Sequence, residues 1–390
     1  MKTDISRFTF RPDRHYSAVL QQQGRVSLDA DFNEHTEIDR HRSRTLARDL
    51  IGACGGPRDA AGFGITVGPG GELMIGAGRY YVDGLLVENE HDCAIDDQPD
   101  IPSGGAALTV PASTRGGQIV YLDVWEREIT ALDDPLLREV ALGGPDTTTR
   151  LKVVWQARFR PLVGDSDVGC DDRATLNVRI RKGYAGLENR LYRVEIHTAD
   201  AGDDVTFKWS RDNASLVLPL ASIDADQLTL TDSAADSADR LAPGDWLELL
   251  DDALELDREG GLLAQIVALD RRRVSIAPVD HDLAVDLSLH PKARRWAGVG
   301  AITSGVKGHG WMPLEDGIEV AFGGGNPQPG EYWLIPARPA NASVEWPNGP
   351  QPAQRIEHYT CPLAVVESGA GTSTWLVVED RRRLFAPLAG

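Results

Sequence analysis

Alternating polar and apolar positions dominate the chain after about residue 60, and they predict strands rather than helices. Short alternating runs occupy 63–67, 72–75 and 79–88, the last interrupted by Asp83-Gly84, a pair suited to a tight hairpin turn. Longer ones occupy 120–129 and 151–159, each with a central tryptophan, Trp125 and Trp155. The pattern continues through 176–180, 191–197, 205–209 and 215–220, and returns at 318–322, 331–335, 362–366 and 375–379. Residues 135–142, after Asp133-Asp134, are expected to form one or two helical turns. Nothing between 60 and 390 reads as a long amphipathic helix, and β-α alternation is missing, so the expected fold is mainly β. That means antiparallel sandwich or barrel domains carrying an N-terminal arm and one helix.

The helix is expected from Phe32 to about Ile51, stopped by Gly52. Asp31 is placed to cap it, with Glu34 three residues on completing a capping box, and 25–28 alternates like a short strand. The apolar positions Phe32, Ile38, Leu46 and Leu50 make a narrow stripe on an otherwise charged helix, with Glu37–His41 as an i,i+4 pair. Such a helix either lies solvated on the surface or docks on a neighbouring subunit. Four segments follow from these patterns: 1–60, arm and docking helix; 61–220, main β domain; 221–290, a small acidic β-barrel, inserted or appended; 291–390, a return to the main domain.

Charge refines the picture. With 59 Asp+Glu against 40 Lys+Arg the chain is strongly acidic, which argues against nucleic-acid wrapping or a polybasic membrane contact. The acidity is local. Residues 1–50 hold nine Lys+Arg and eight Asp+Glu, whereas 224–259 holds twelve acids and two arginines, read as a solvated face. No secretory leader and no run of about 18 apolar residues is visible, so cytoplasmic synthesis without membrane insertion is expected. Cys54, Cys93, Cys170 and Cys361 are scattered without a CxxC pair, as in a reduced protein.

The search for reactive chemistry returns mainly absences. There is no phosphate loop, GxGxxG, GxSxG or HExxH motif. Asp29, Asp31 and Asn33 open like a calcium loop, but Glu34 stands where that loop needs glycine and Arg40 where it needs a carboxylate. His35, Glu37 and His41, and the pair His91 and Cys93, lack further ligands at metal spacing. His358 and Cys361 are close in sequence, yet a packed structural thiol is the simpler reading. No cofactor, metal or catalytic residue is assigned.

Five strings carry a resemblance: HYSAVLQQQGRVSLDADFNEH (15–35), VYLDVWEREITALDDPLLREVALGGPDTTTR (120–150), GLENRLYRVEIH (186–197), FKWSRDNAS (207–215) and EYWLIPARPA (331–340). Together they resemble an uncharacterised bacterial β-rich family associated with phage tails and phage-tail-like contractile injection systems. The similarity runs from Phe8 to about Leu384. It implies a non-catalytic structural or adaptor subunit, a homo-oligomer among other particle subunits that can form part of a released particle. The arm and helix would do the docking. Carried onto this chain, the signature positions are Gln21, Gly24, Arg25, Asp29, Asp31, Asn33 and Glu34, with Arg211 and Asp212 in a turn after a strand and Arg338 as a paired, partly buried charge. The alternatives are a glycan or cell-surface binding module of a tail tip, and a polysaccharide hydrolase.

Overall fold

A computed structural model describes residues 2–101, 117–162, 172–199, 205–231, 240–257, 260–278, 285–302, 310–368 and 375–386; Cys170 lies outside them. The fold is mainly β and antiparallel, with a closed barrel and one long N-terminal helix. Among the described residues no helix is long and apolar enough to cross a membrane. Two compact units interleave along the chain. One comprises Met1–Arg7, Glu128–Arg150 and Val168–Ile356; the other comprises Phe8–Arg127, Leu151–Asp167 and Glu357–Gly390.

The first unit contains the barrel. Its six strands run, in order of pairing, Val217–Asp224, Gln227–Leu230, Arg273–Pro278, Leu262–Asp270, Trp246–Leu250 and Lys292–Trp296, and the last pairs back onto the first. Period-two alternation sends Leu218, Leu220, Leu228, Leu247, Leu249, Ile266, Val274 and Ala293 into its core. Beside it, a five-stranded sheet runs Gly298–Ile302, Val205–Ser210, Arg190–Thr198, Tyr332–Arg338, Ser343–Val344. That sheet shares a core with the four-stranded sheet centred on Ile318–Phe322 and Thr175–Ile180, through Tyr192, Val194, Ile196, Trp209, Trp333 and Ile335.

The second unit contains the long helix, α1, Asp29–Ile51, and a core of Phe63, Ile75, Tyr80, Val82, Leu122, Val124, Trp155 and Cys361 drawn from three sheets. Asp83 and Gly84 join Gly78–Val82 to Leu85–Asn89, both with positive φ, as the tight turn demands. Residues 25–28 form no strand: Val26 is exposed and has no partner strand to alternate against. The helix also starts earlier than the capping pattern implies. Leu28 is the residue before it and no side chain caps the end, so Asp31 falls in the first turn, where its charge complements the helix dipole. Gly52 ends it with φ 92°.

Gly84 approaches α1 so closely that a Cβ would lie 2.3 Å from the Arg44 carbonyl oxygen. Gly24 has a similar positive φ with open space around it. Gly84→Ala is therefore expected to destabilise by about 2 kcal/mol or more, combining conformational strain with a backbone clash, and Gly24→Ala by about 1 kcal/mol. Urea unfolding of the two variants checks this; equal effects would remove the close approach as a constraint.

Candidate functional site

α1 meets its own unit through arginines. Arg40, Arg44 and Arg48 recur every four residues and so share a face at about 3.6 residues per turn. Arg40 Nη2 donates to both Glu126 carboxylate oxygens at 2.6 Å. Arg44 donates to the Asp83 carboxylate at 2.6 Å and to its carbonyl at 3.0 Å, and its guanidinium lies 4.2 Å from the Tyr359 ring centroid. Arg48 reaches the other Asp83 oxygen at 3.1 Å. The extended segment ahead of the helix runs along it: Thr9 Oγ1 donates to the Ala30 carbonyl, Arg42 to the Ser17 carbonyl, and Phe10 packs on the His41 ring at 5.6 Å. His35 pairs with Asp39 and Arg40 with Glu37, in place of the expected Glu37–His41 pair.

The expected apolar stripe is split. Within α1 only Ala30 and Ile38 are buried, while Phe32, Leu46 and Leu50 are 58%, 60% and 60% exposed and lie together on the side away from the arginines. Leu20 and Val26 in the preceding segment are also exposed, at 84% and 82%. An open hollow on the helix is lined by His41, Arg42, Ser43, Thr45, Leu46 and Asp49.

The barrel unit holds a second constellation. Arg193, Glu195 and His197 project from Arg190–Thr198 opposite to the core residues Tyr192, Val194 and Ile196, and Glu195 pairs across the ladder with Lys208. Glu195 receives Lys2 Nζ at 2.9 Å, Arg193 Nε at 2.6 Å and Lys208 Nζ at 3.4 Å. Lys208 also pairs tightly with Glu248 of the barrel, whose other oxygen accepts Trp296 Nε1–H at 2.8 Å. The Lys208 ammonium sits 4.8 Å from the Trp296 ring centroid, and Arg193 stacks 3.6 Å from that of Tyr332. Burial alone would push the Glu248 carboxyl up, but Lys208 and Lys2 outweigh it and hold the group at about 2. Burial, reinforced by Lys208, brings His197 down to about 4 and keeps it neutral. Desolvation likewise lowers Lys2 to about 8, against the attraction of Glu195 and Glu248.

A neighbouring acidic group, Asp133, Asp252 and Glu255, has carboxylate oxygens close enough to hold a cation. The cation there is Lys292, whose ammonium lies 3.1, 3.4 and 2.7 Å from the three. Arg294 adds a contact to Glu255 at 3.3 Å. The acidic stretch is thus not simply a solvated face. Glu248 and Asp251 are buried, and Asp252 and Glu255 neutralise internal lysine and arginine. Sequence reasoning passed over Lys208, Lys292 and Arg294 because the barrel acids they meet, Glu248 and Glu255, are 37 or more residues away.

The positions named from the sequence fall into both units. Gln21, Gly24 and Arg25 are exposed, with Gly24 (φ 70°) in a turn; Asp29, Asp31, Asn33 and Glu34 open α1. In the barrel unit, Arg211 pairs with Glu315 at 2.7 Å, and Asp212 accepts Ser210 Oγ–H at 2.6 Å and pairs tightly with Arg295. Arg338 pairs with Glu345 at 2.9 Å. In the open hollow lined by Arg181, Lys182, Pro313 and 315–319, Glu315 accepts the Tyr192 hydroxyl and Glu319 is paired with Arg179 at 2.6 Å. His358 holds Asp123 at 2.7 Å and stacks on Trp125, whereas Cys361 lies beside Tyr80. No zinc-type group forms around His91 and Cys93 among the described residues.

Fold and site together define a two-unit β protein with a buried ion network in one unit and an arginine-clamped helix in the other. The chain belongs to a family of unknown function, DUF6519, whose profile matches residues 1–168 and 168–381. No curated protein and no solved structure matches it.

Removing one member of a buried ion network leaves its partners desolvated and costs about 3–5 kcal/mol. Lys208→Met is expected to fall in that range by urea unfolding at neutral pH; a loss below about 1 kcal/mol would show the network to be dispensable. Acid should act through the same groups. Glu248 titrates near 2 when folded against an ordinary 4.5, and His197 near 4 against 6.5. In both windows the unfolded chain binds the extra proton, so the contribution of these two groups is complete above about 6.5 and declines as the pH falls towards 2. Glu248→Gln should flatten the part of this decline below 4.5.

Proposed function

We propose that this protein is a non-catalytic structural or adaptor component of a phage-tail-like or contractile injection particle, and that it assembles through its N-terminal arm and α1. The observation that carries the reading is the inverted polarity of α1. Its charged arginine face is turned to its own unit, and its large apolar residues Phe32, Leu46 and Leu50 are turned to solvent. An exposed apolar row beside an extended segment bearing Leu20 and Val26 is what a subunit contact needs, since burying it upon association contributes about 25 cal/mol per Å². The near-neutral charge of residues 1–50 favours the same end, because an acidic chain repels its own copies least there. The resemblance of the five strings to a tail-associated family is what suggests this kind of particle. Homo-oligomers and contacts to other particle subunits both fit this surface.

Leu46→Glu/Leu50→Glu separates docking from folding. Both side chains are exposed, so the unfolding midpoint should move by no more than about 0.5 kcal/mol per site. Light scattering after size exclusion, and pull-down against the products of neighbouring genes, should show assembly by the wild type and its loss in the variant. A wild-type chain that is strictly monomeric and captures none of those products would overturn the proposal.

A further inference from the structure

Residues 2–28 join no sheet, yet the start of this arm is fastened inside the barrel unit. The Lys2 backbone N–H donates to Glu128 Oε2 at 2.6 Å, and the Thr3 carbonyl accepts Asn213 Nδ2–H at 2.9 Å. Thr3 Oγ1 lies 3.4 Å from Thr149 Oγ1. The Lys2 ammonium reaches Glu195 at 2.9 Å and stands 5.5 Å from the Trp296 ring centroid. Side chains thus read a backbone N–H and a backbone C=O, with a carboxylate and an indole face for the ammonium. Together they make a seat for an extended Lys-Thr segment.

Lys2 is also the member of the ion network best able to leave. Its side chain is 26% exposed, whereas Arg193, Glu195, Lys208 and Glu248 are buried. It is the third cation on Glu195, which keeps Arg193 at 2.6 Å and Lys208 at 3.4 Å when Lys2 departs. Departure therefore strands no buried acid, as loss of Lys208 would, but it removes a contact that an equivalent ammonium restores. The chain beyond the seat is loosely held. Arg7 ends the part of the arm that belongs to the barrel unit, and Phe8 begins the other unit. Residues 11–28 are exposed apart from Val19. Thr9 to Ala30 and Arg42 to Ser17, both at 3.4 Å, are long hydrogen bonds. Released and extended, 8–28 spans up to about 70 Å.

We propose that this seat accepts the arm of a second copy of this chain, so that copies exchange arms and the partner's Lys2 and Thr3 complete the site. Closed and exchanged forms make the same contacts at the seat, so local concentration and the freedom of the linker decide between them. Close packing of copies favours exchange. The choice of partner rests on the assembly reading above, and the arm gains a mode of docking separate from the apolar side of α1.

The probe is a mixture of two chains, one Thr3→Cys and the other Thr149→Cys, both in a Cys54→Ser/Cys93→Ser background, treated at high concentration with a short bis-maleimide. Neither chain can form a 3–149 link within itself, so a dimer containing the 3–149 linked peptide reports exchange. That product is expected, and adding Lys2→Met to the Thr3→Cys chain should lower its yield about tenfold or more. The double variant Thr3→Cys/Thr149→Cys should link both within and between copies. A double variant that links only within itself, with no 3–149 dimer from the mixture, would overturn exchange. Failure of the 3–149 link in every chain would overturn the seat, and a yield unmoved by Lys2→Met would overturn its role there. Leu46→Glu/Leu50→Glu should leave the link in place. Assembly without the link therefore removes exchange alone, and the link without assembly through α1 removes the α1 contact alone.

Discussion

The strand Arg190–Thr198 is covered on both faces, and much else in the barrel unit follows from that constraint. A strand alternates its side chains whether or not there is water to receive the polar ones. Tyr192, Val194 and Ile196 enter a sandwich core, so Arg193 and Glu195 must go the other way, where Lys208, Glu248 and Trp296 enclose them. Dehydrated charges are tolerable only as a complete set, since each loses several kcal/mol of hydration that only close partners offset. The set draws on two sheet strands, two barrel strands and Lys2. A slip of one residue in Arg190–Thr198 would place Tyr192 and Val194 among the ions and Arg193 and Glu195 in the apolar core. The network therefore adds little net stability over a hydrophobic equivalent but penalises every wrong register heavily.

That view also reinterprets the acidic composition. Excess carboxylate around 224–259 looks, in one dimension, like a solubility device. In three dimensions part of it is counter-charge: Glu248 for Lys208, and Asp252 and Glu255 for Lys292 and Arg294. Asp251 works locally, accepting backbone N–H groups from Leu254 and Asp286. Three carboxylates converging on one point invite a metal reading, yet Lys292 fills the point with an ammonium carried by the neighbouring barrel strand.

Features with a short-range physical signal were legible in the sequence. Asp83-Gly84 fixes a hairpin through its own φ requirements, and the leucine alternation of 228–276 marks a barrel interior. The strand Lys292–Trp296 was not legible, because Lys-Ala-Arg-Arg-Trp reads as a solvated loop unless the distant acids that neutralise it are known. The helix was found, but which of its faces meets its own unit was not. Apolar periodicity assumes that leucines turn inward, whereas here Arg40, Arg44 and Arg48 do so, and that four-residue spacing was present to be read. Arg211, Asp212 and Arg338 could be picked out as charges in strand-end contexts, but their partners Glu315, Arg295 and Glu345 are fixed by tertiary structure alone.

An arginine-clamped helix differs from a leucine-packed one in how tightly it is held. Partly exposed ion pairs contribute about 0.2–1 kcal/mol each, far less than a buried leucine. With only Ala30 and Ile38 buried along 23 residues, α1 has little apolar anchorage to its own unit, and its residue-by-residue preference for helix is modest at best. Its large apolar side chains contribute nothing to that anchorage while they remain in water. Association that covers Phe32, Leu46 and Leu50 would add the missing burial to the same element, so docking and helix retention would be coupled: each partner contact would also stabilise the helix that makes it. This arrangement makes α1 weak in isolation and strong in an assembly, the opposite of what a helix serving only its own fold requires.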